Sequence, residues 1–197
     1  MRKFVAVLLA WSLASVSMCF ADETVFDTET GYRIARYRTP TPESVPGGTR
    51  IMAADVAGLI KANRPILIDV MPSEGGRANP KTGQWYLPKS HRNIAGSTWL
   101  ADVGQGVLTS DQSKYFSDNL ARLTQGDRSR AIIFYCKADC WMSWNAVRRA
   151  AALGYQNIYW LSEGTDGWTD WGGTLIDAKP EPFHPLPAAS SDASAKH

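Results

Sequence analysis

The segment Ala131-Ile-Ile-Phe-Tyr-Cys-Lys-Ala-Asp-Cys-Trp-Met-Ser-Trp constrains this chain more than any other. The apolar run Ile132 to Tyr135 is too short for a buried helix and carries no polar alternation, so it predicts a strand covered on both faces in a parallel sheet. That strand delivers Cys136 to a short polar loop. An amphipathic helix is then predicted over Trp144 to Leu153, with Ser143 as its N-cap and Gly154 as its C′ stop. A cysteine at a strand's carboxyl end, facing a helix N-terminus, meets backbone N–H groups and the positive end of a dipole. This lowers a thiol pKa and predicts cysteine chemistry, with Cys136 more acidic and more reactive than Cys140 beside Asp139.

The rest of the chain supplies the elements that would bury such a strand. A strand is predicted over Thr49 to Met52, a helix over Ala53 to Ala62, and a buried strand in Pro65-Ile-Leu-Ile-Asp-Val. Met71 to Ser90 reads as a long loop and Ile94 to Leu100 as a short strand. Asp111 to Leu123 reads as a helix capped by Asp111, with Tyr115, Phe116, Leu120 and Leu123 on one face. Asn157 to Leu161 reads as a final strand before the turn-rich Glu163-Gly-Thr-Asp-Gly-Trp. Alternating strands and helices predict an α/β domain with a central, largely parallel sheet flanked by helices. Residues 22–48 read as an extended arm, 49–178 as the domain, and 179–197 as a flexible Pro-, Ala- and Ser-rich tail.

Residues 1–21 read as a secretory signal peptide: Arg2 and Lys3, an apolar run from Phe4 to Ala10, and the cleavage pattern Cys19-Phe20-Ala21. The run is shorter than the about 20 residues that span a bilayer. Met18 is a poor residue before a lipidated cysteine, so secretion to the periplasm is preferred over a lipoprotein anchor at Cys19. Cleavage removes Arg2 and Lys3, so Lys+Arg falls from 21 to 19 against 19 Asp+Glu and the formal net charge becomes zero. That balance argues against nucleic acid or an anionic membrane as partner. It also leaves Cys136 and Cys140 as the cysteines of the mature chain, a candidate disulfide in an oxidising compartment. Two cysteines plus His91 lack the paired spacings of a structural zinc site. No phosphate loop, dinucleotide fingerprint or haem-attachment motif is present, so no metal and no cofactor is expected.

Leu67-Ile-Asp-Val, His91-Arg-Asn-Ile-Ala-Gly-Ser, Ile133-Phe-Tyr-Cys, Leu153-Gly-Tyr-Gln-Asn-Ile-Tyr and Glu163-Gly-Thr-Asp-Gly-Trp follow one another along the chain. In that order they resemble the landmarks of a rhodanese-like domain, over roughly residues 49–172. Cys136-Lys-Ala-Asp-Cys-Trp further resembles the CxxxCW signature of a periplasmic rhodanese-like family associated with alcohol catabolism dependent on pyrroloquinoline quinone (PQQ). The resemblance implies a three-layer α/β fold and a cysteine persulfide carried on Cys136 as intermediate. It also implies a loop of backbone N–H groups cradling the outer sulfur. Aligned on Ser143 and Gly154, the loop is one residue longer than the usual sulfurtransferase loop, and Trp141 or Met142 falls where the family carries arginine. That departure argues against phosphatase chemistry and against thiosulfate as donor.

The candidate catalytic residues are therefore Cys136 and Cys140, in an active-site loop of Lys137, Ala138, Asp139, Trp141, Met142 and Ser143. Lys137 either supports a thiolate or is an ordinary solvated charge. Asp139 is expected to point outward. Trp141 and Trp144 either wall a pocket or simply pack. Asp69 and His91 are expected as supporting, architectural groups. In the preferred reading Cys136 attacks a small sulfur donor or the disulfide of a partner thiol protein, and Cys140 resolves the product. A bridge across so short a loop should be labile. By resemblance the setting is PQQ-dependent alcohol oxidation, with the dehydrogenase or its cytochrome as partner. The rival reading is a non-catalytic binding module in which the Cys136–Cys140 bridge is structural.

Overall fold

The computed structural model describes residues 24–184. The predicted signal peptide and the tail beyond residue 184 lie outside them. In chain order the elements are β1 Thr49–Ile51, α1 Ala53–Asn63, β2 Ile66–Asp69, β3 Arg77–Ala78, β4 Trp85–Tyr86, β5 His91–Ile94 and β6 Thr98–Trp99. There follow α2 Ser110–Thr124, β7 Ile132–Tyr135, α3 Trp141–Ala152, β8 Ile158–Leu161, α4 Gly164–Asp170 and β9 Leu175–Ala178.

Five strands form a wholly parallel sheet in the order β1-β8-β7-β2-β6, with β7 at its centre. Side chains alternate across β7, and this divides the core. Ile132 and Phe134 face the layer that holds Phe116 and Leu120 of α2 and Ala146 and Val147 of α3. Ile133 and Tyr135 face Val56 of α1, Leu67 and Leu161. All four β7 residues are buried, as the unbroken apolar run predicts. The strand order turns back between β2 and β7, which opens a crevice beyond their carboxyl ends.

Several local readings change in the folded chain. The segment 71–90 is not all loop, because β3 and β4 pair in a short hairpin. The predicted strand 94–100 is split by a turn at Gly96, whose φ is +82°, so that β5 pairs antiparallel with β9 and β6 joins the main sheet. The cap of α2 is Thr109, not Asp111. The Thr109 hydroxyl accepts the Gln112 N–H at 3.2 Å and the Gln112 side chain accepts the Thr109 N–H at 2.9 Å. The turn-rich segment after β8 is the short helix α4. Residues 179–184, assigned by composition to the flexible tail, lie against the domain. There the Glu181 carbonyl accepts from Trp85 Nε1 and Tyr115 Oη, and Phe183 packs on Tyr115.

The largest change is at α3, which begins at Trp141, three residues before the predicted start. The reason is non-local. The Trp141 N–H donates to the Tyr37 carbonyl of the arm at 2.9 Å, so the helix end is satisfied without a side-chain cap. The Ser143 hydroxyl instead donates to the Cys140 carbonyl and accepts from Trp160 Nε1. The end of α3 is as predicted, with Gly154 at φ +88° and the Tyr155 N–H returning to the Ala150 carbonyl.

The arm is held on α3 by Asn145. Its Oδ1 accepts the Arg33 N–H at 2.9 Å, and its Nδ2 donates to the carbonyls of Arg33 at 2.8 Å and Gly104 at 3.0 Å. Asn145 is fully buried, so truncation strands three backbone groups away from water. Asn145→Ala should therefore cost about 3 kcal/mol, read as a lowered urea midpoint. Limited proteolysis should show cleavage of the arm before the domain unfolds.

Candidate functional site

Cys136 is the first residue after β7, and the loop Cys136 to Cys140 joins the central strand to α3. Its main chain is fastened to the N-terminal turn of α4. The Thr165 N–H donates to the Cys136 carbonyl at 2.9 Å, and Lys137 and Gly164 form an isolated antiparallel bridge. The approach is close enough that a Cβ on Gly164 would lie 2.3 Å from the Cys136 carbonyl oxygen, and Gly164 has φ +56°. Glycine is therefore required by both space and conformation. On the other side of the loop the arm pairs with it through an antiparallel bridge between Arg38 and Cys140.

Cys136 and Cys140 are joined by a disulfide, with Cα atoms 6.4 Å apart. Cys136 is 0% exposed and Cys140 3% exposed. The early start of α3 makes Cys140 its N-cap, and moves Trp141, Met142 and Ser143 out of the loop and into the first helical turn. The loop's length, counted from Ser143 in the sequence, shortens accordingly. Cys140 thus sits on the helix start, and the Cys136 sulfur reaches it through the bridge. Two of the amides near the sulfurs are already committed, Ala138 N–H to Asp166 Oδ2 at 3.2 Å and Trp141 N–H to Tyr37. Asp139 is exposed at φ +50°, outward as expected.

Trp141 and Trp144 line neither of the two clefts at the carboxyl ends of β2 and β7 and pack against the arm. Trp141 packs edge-on to Phe26 of the arm, lies under the Arg33 guanidinium, and donates from Nε1 to Thr39 Oγ1. Trp144 donates from Nε1 to the Ser44 carbonyl. Both are anchors for the arm. Across the sheet, buried Asp69 accepts the Met71 N–H at 2.9 Å and is hydrogen-bonded to His91 Nε2 at 2.6 Å. His91 stacks on Trp99, whose Nε1 donates to the Met71 carbonyl, so this group shapes the turn after β2. Burial pushes the Asp69 carboxyl above its ordinary value, against the opposing pull of His91, the Met71 N–H and Lys137.

Two clefts open at the carboxyl ends of β2 and β7. One, of about 300 Å³, is lined by His91, Trp99, Ser73, Ser90 and Asp166 among others. The second, of about 620 Å³, lies between the arm, the turn after β2 and the cysteine loop; its walls include Arg36, Arg38, Met71, Lys137, Cys140 and Met142. Met71, Pro72, Glu74 and Lys137 border both. The loop motif gives no sign of the arm's arginines, which come from a distant part of the chain. Their signal was the basic run Arg33-Ile-Ala-Arg-Tyr-Arg in a chain otherwise balanced in charge. Among the described residues no group of three or more His, Cys, Asp or Glu is placed to hold a metal ion, and no helix is long and apolar enough to cross a membrane.

The rhodanese-like domain family model matches residues 52–170. Solved structures with similar folds include a rhodanese-like domain from Anabaena sp., 15% identical, covering 75% of this chain and 91% of that one at a TM-score of 0.43. A thiosulfate sulfurtransferase from Pseudomonas aeruginosa is 18% identical over 71% of this chain and 22% of its own, with a TM-score of 0.47. The polysulfide-sulfur transferase homodimer from Wolinella succinogenes is 15% identical over 67% of this chain and 80% of its own, with a TM-score of 0.42. Comparison with curated proteins finds no match.

Two substitutions probe the site's framework. Gly164→Ala should cost about 2–4 kcal/mol in chemical denaturation, because a Cβ overlaps the Cys136 carbonyl and the left-handed backbone is strained. Asp69→Asn tests the buried carboxyl. Because the folded-state pKa is raised, the protonated form's stabilisation is complete below 3.8 and is lost as pH climbs through the raised value. The Asn variant, which keeps both hydrogen-bonding positions, should lose that decline, so its urea midpoint should depend less on pH in the weakly acidic range.

Proposed function

Because the chain belongs to the rhodanese-like domain family, we propose that Cys136 and Cys140 are the working groups of a secreted thiol protein, cycling between disulfide and dithiol. The observation that carries this reading is the Cys136–Cys140 disulfide itself, sited where the central strand meets α3 and beside the larger cleft. In the reduced state Cys136 holds the position at which the resemblance puts a persulfide, so sulfane-sulfur transfer and thiol–disulfide exchange use one group. Closing so short a loop stabilises the bridge by only about 2 kcal/mol, which keeps reduction within reach of ordinary thiols. The signal-peptide pattern supports a periplasmic setting. The Cys136-to-Trp141 motif supports a role beside PQQ-dependent alcohol oxidation, with a small sulfur donor, a partner thiol protein, the dehydrogenase or its cytochrome as the other participant.

A second reading, a binding module with a structural bridge, is favoured by the commitment of the Ala138 and Trp141 N–H groups to Asp166 and Tyr37. Thiol titration separates the two. The mature protein should show no free thiol as isolated and two after equilibration in millimolar glutathione. Cys136→Ser should abolish any sulfurtransferase activity. A bridge that persists in glutathione buffers, with no sulfur transfer, establishes the binding module instead.

A further inference from the structure

We propose that the sulfur first attacked in the Cys136–Cys140 disulfide is Sγ of Cys140, and that the attacking group is a small thiol bearing carboxylates, held between Arg38 and Lys137. The proposal rests on the redox reading of the pair. It inverts the order of roles that the chain's family position suggests, in which Cys136 meets the incoming group.

Access is the first reason. Cys140 lines the cleft of about 620 Å³, whereas Cys136 is fully buried and does not. The second is electrostatic. As N-cap of the 12-residue α3, Cys140 stands at the positive end of the helix dipole, where a thiolate is stabilised. The Cys136 sulfur instead lies 3.7 Å from the Lys137 carbonyl oxygen and 3.6 Å from that of Cys140, and both dipoles oppose negative charge there. These fields make Cys140 the better leaving thiolate, so they favour the second step, in which Cys140 Sγ is expelled from the mixed disulfide, while access selects Cys140 for the first attack. The third reason is the lining of the cleft. Arg36, Arg38 and Lys137 border it, against one lining carboxylate, Glu74, which pairs with Lys89 at 2.9 Å and is also drawn on by Lys137, so positive charge is in excess. The volume suits a ligand of tripeptide size.

In the first step the incoming thiolate forms a bond to Cys140 Sγ while the Sγ–Sγ bond breaks. The electron pair departs on Cys136 Sγ, which takes a proton from water. A second thiolate then attacks the sulfur of the bound thiol, giving the small-molecule disulfide and the Cys140 thiolate. Two thiols are oxidised and one protein disulfide is reduced.

The test mixes the oxidised mature protein with glutathione or with cysteamine, at equal thiolate concentration, and alkylates the released protein thiol before mass mapping. The adduct should lie on Cys140 and the alkyl label on Cys136. Glutathione should react about tenfold faster than cysteamine, a preference that Arg38→Gln brings toward one and that high salt erodes. An adduct on Cys136, or equal rates for the two thiols, overturns the assignment while leaving a redox-active pair. A bridge that neither thiol opens overturns the assignment together with the redox reading.

Discussion

The site depends on the arm being bound to α3, and that binding is concentrated in one buried amide. Asn145 pairs with both the N–H and the carbonyl of Arg33, as a neighbouring strand would, and so gives an otherwise irregular segment a fixed position. From that anchor the chain runs under Trp141 and Trp144 and brings the Tyr37 carbonyl to the first N–H of α3. The arm thus decides where α3 begins. Because α3 begins at Trp141, Cys140 is its N-cap. One non-local hydrogen-bond pair therefore sets which of the two cysteines caps the helix.

The opposite side of the loop is held by a different device. There the main chain of Cys136 and Lys137 lies against Gly164 and Thr165 at a separation only glycine permits. The cysteine loop is clamped between two backbone contacts, one from the N-terminal arm and one from α4, with the disulfide between them. A loop restrained on both edges has little conformational freedom left to lose. The Asp69–His91 pair serves the same geometry from β2. It fixes the turn that carries Met71 and Pro72 to the border shared by both clefts.

Charge is distributed to match. The loop supplies one cation, Lys137, and the arm, far away in sequence, supplies Arg36 and Arg38. A formal net charge of only +2 over the whole sequence conceals this concentration. The absence of an arginine within the loop is therefore a statement about the loop and not about the cleft.

What the sequence determined by itself was whatever depends on neighbours in the chain. The apolar run 132–135 could only be a strand buried on both faces, and the alternation of elements required a parallel sheet with helices on either side. Gly154 had to end α3, and the order of landmarks from Leu67 to Trp168 pointed to the family. Tertiary structure decided whatever depends on a partner far along the chain. Ser143 is a sound N-cap on local grounds, yet a carbonyl from Tyr37 displaced it. Residues 179–184 look mobile by composition, yet Tyr115 and Trp85 bind their backbone. The same holds for the sulfurs: their spacing is written in the sequence, but the helix end and the arm's two arginines in the cleft of Cys140 are set by where the arm lies. A capping bond or a guanidinium acts through space, so no window of local residues can reveal it.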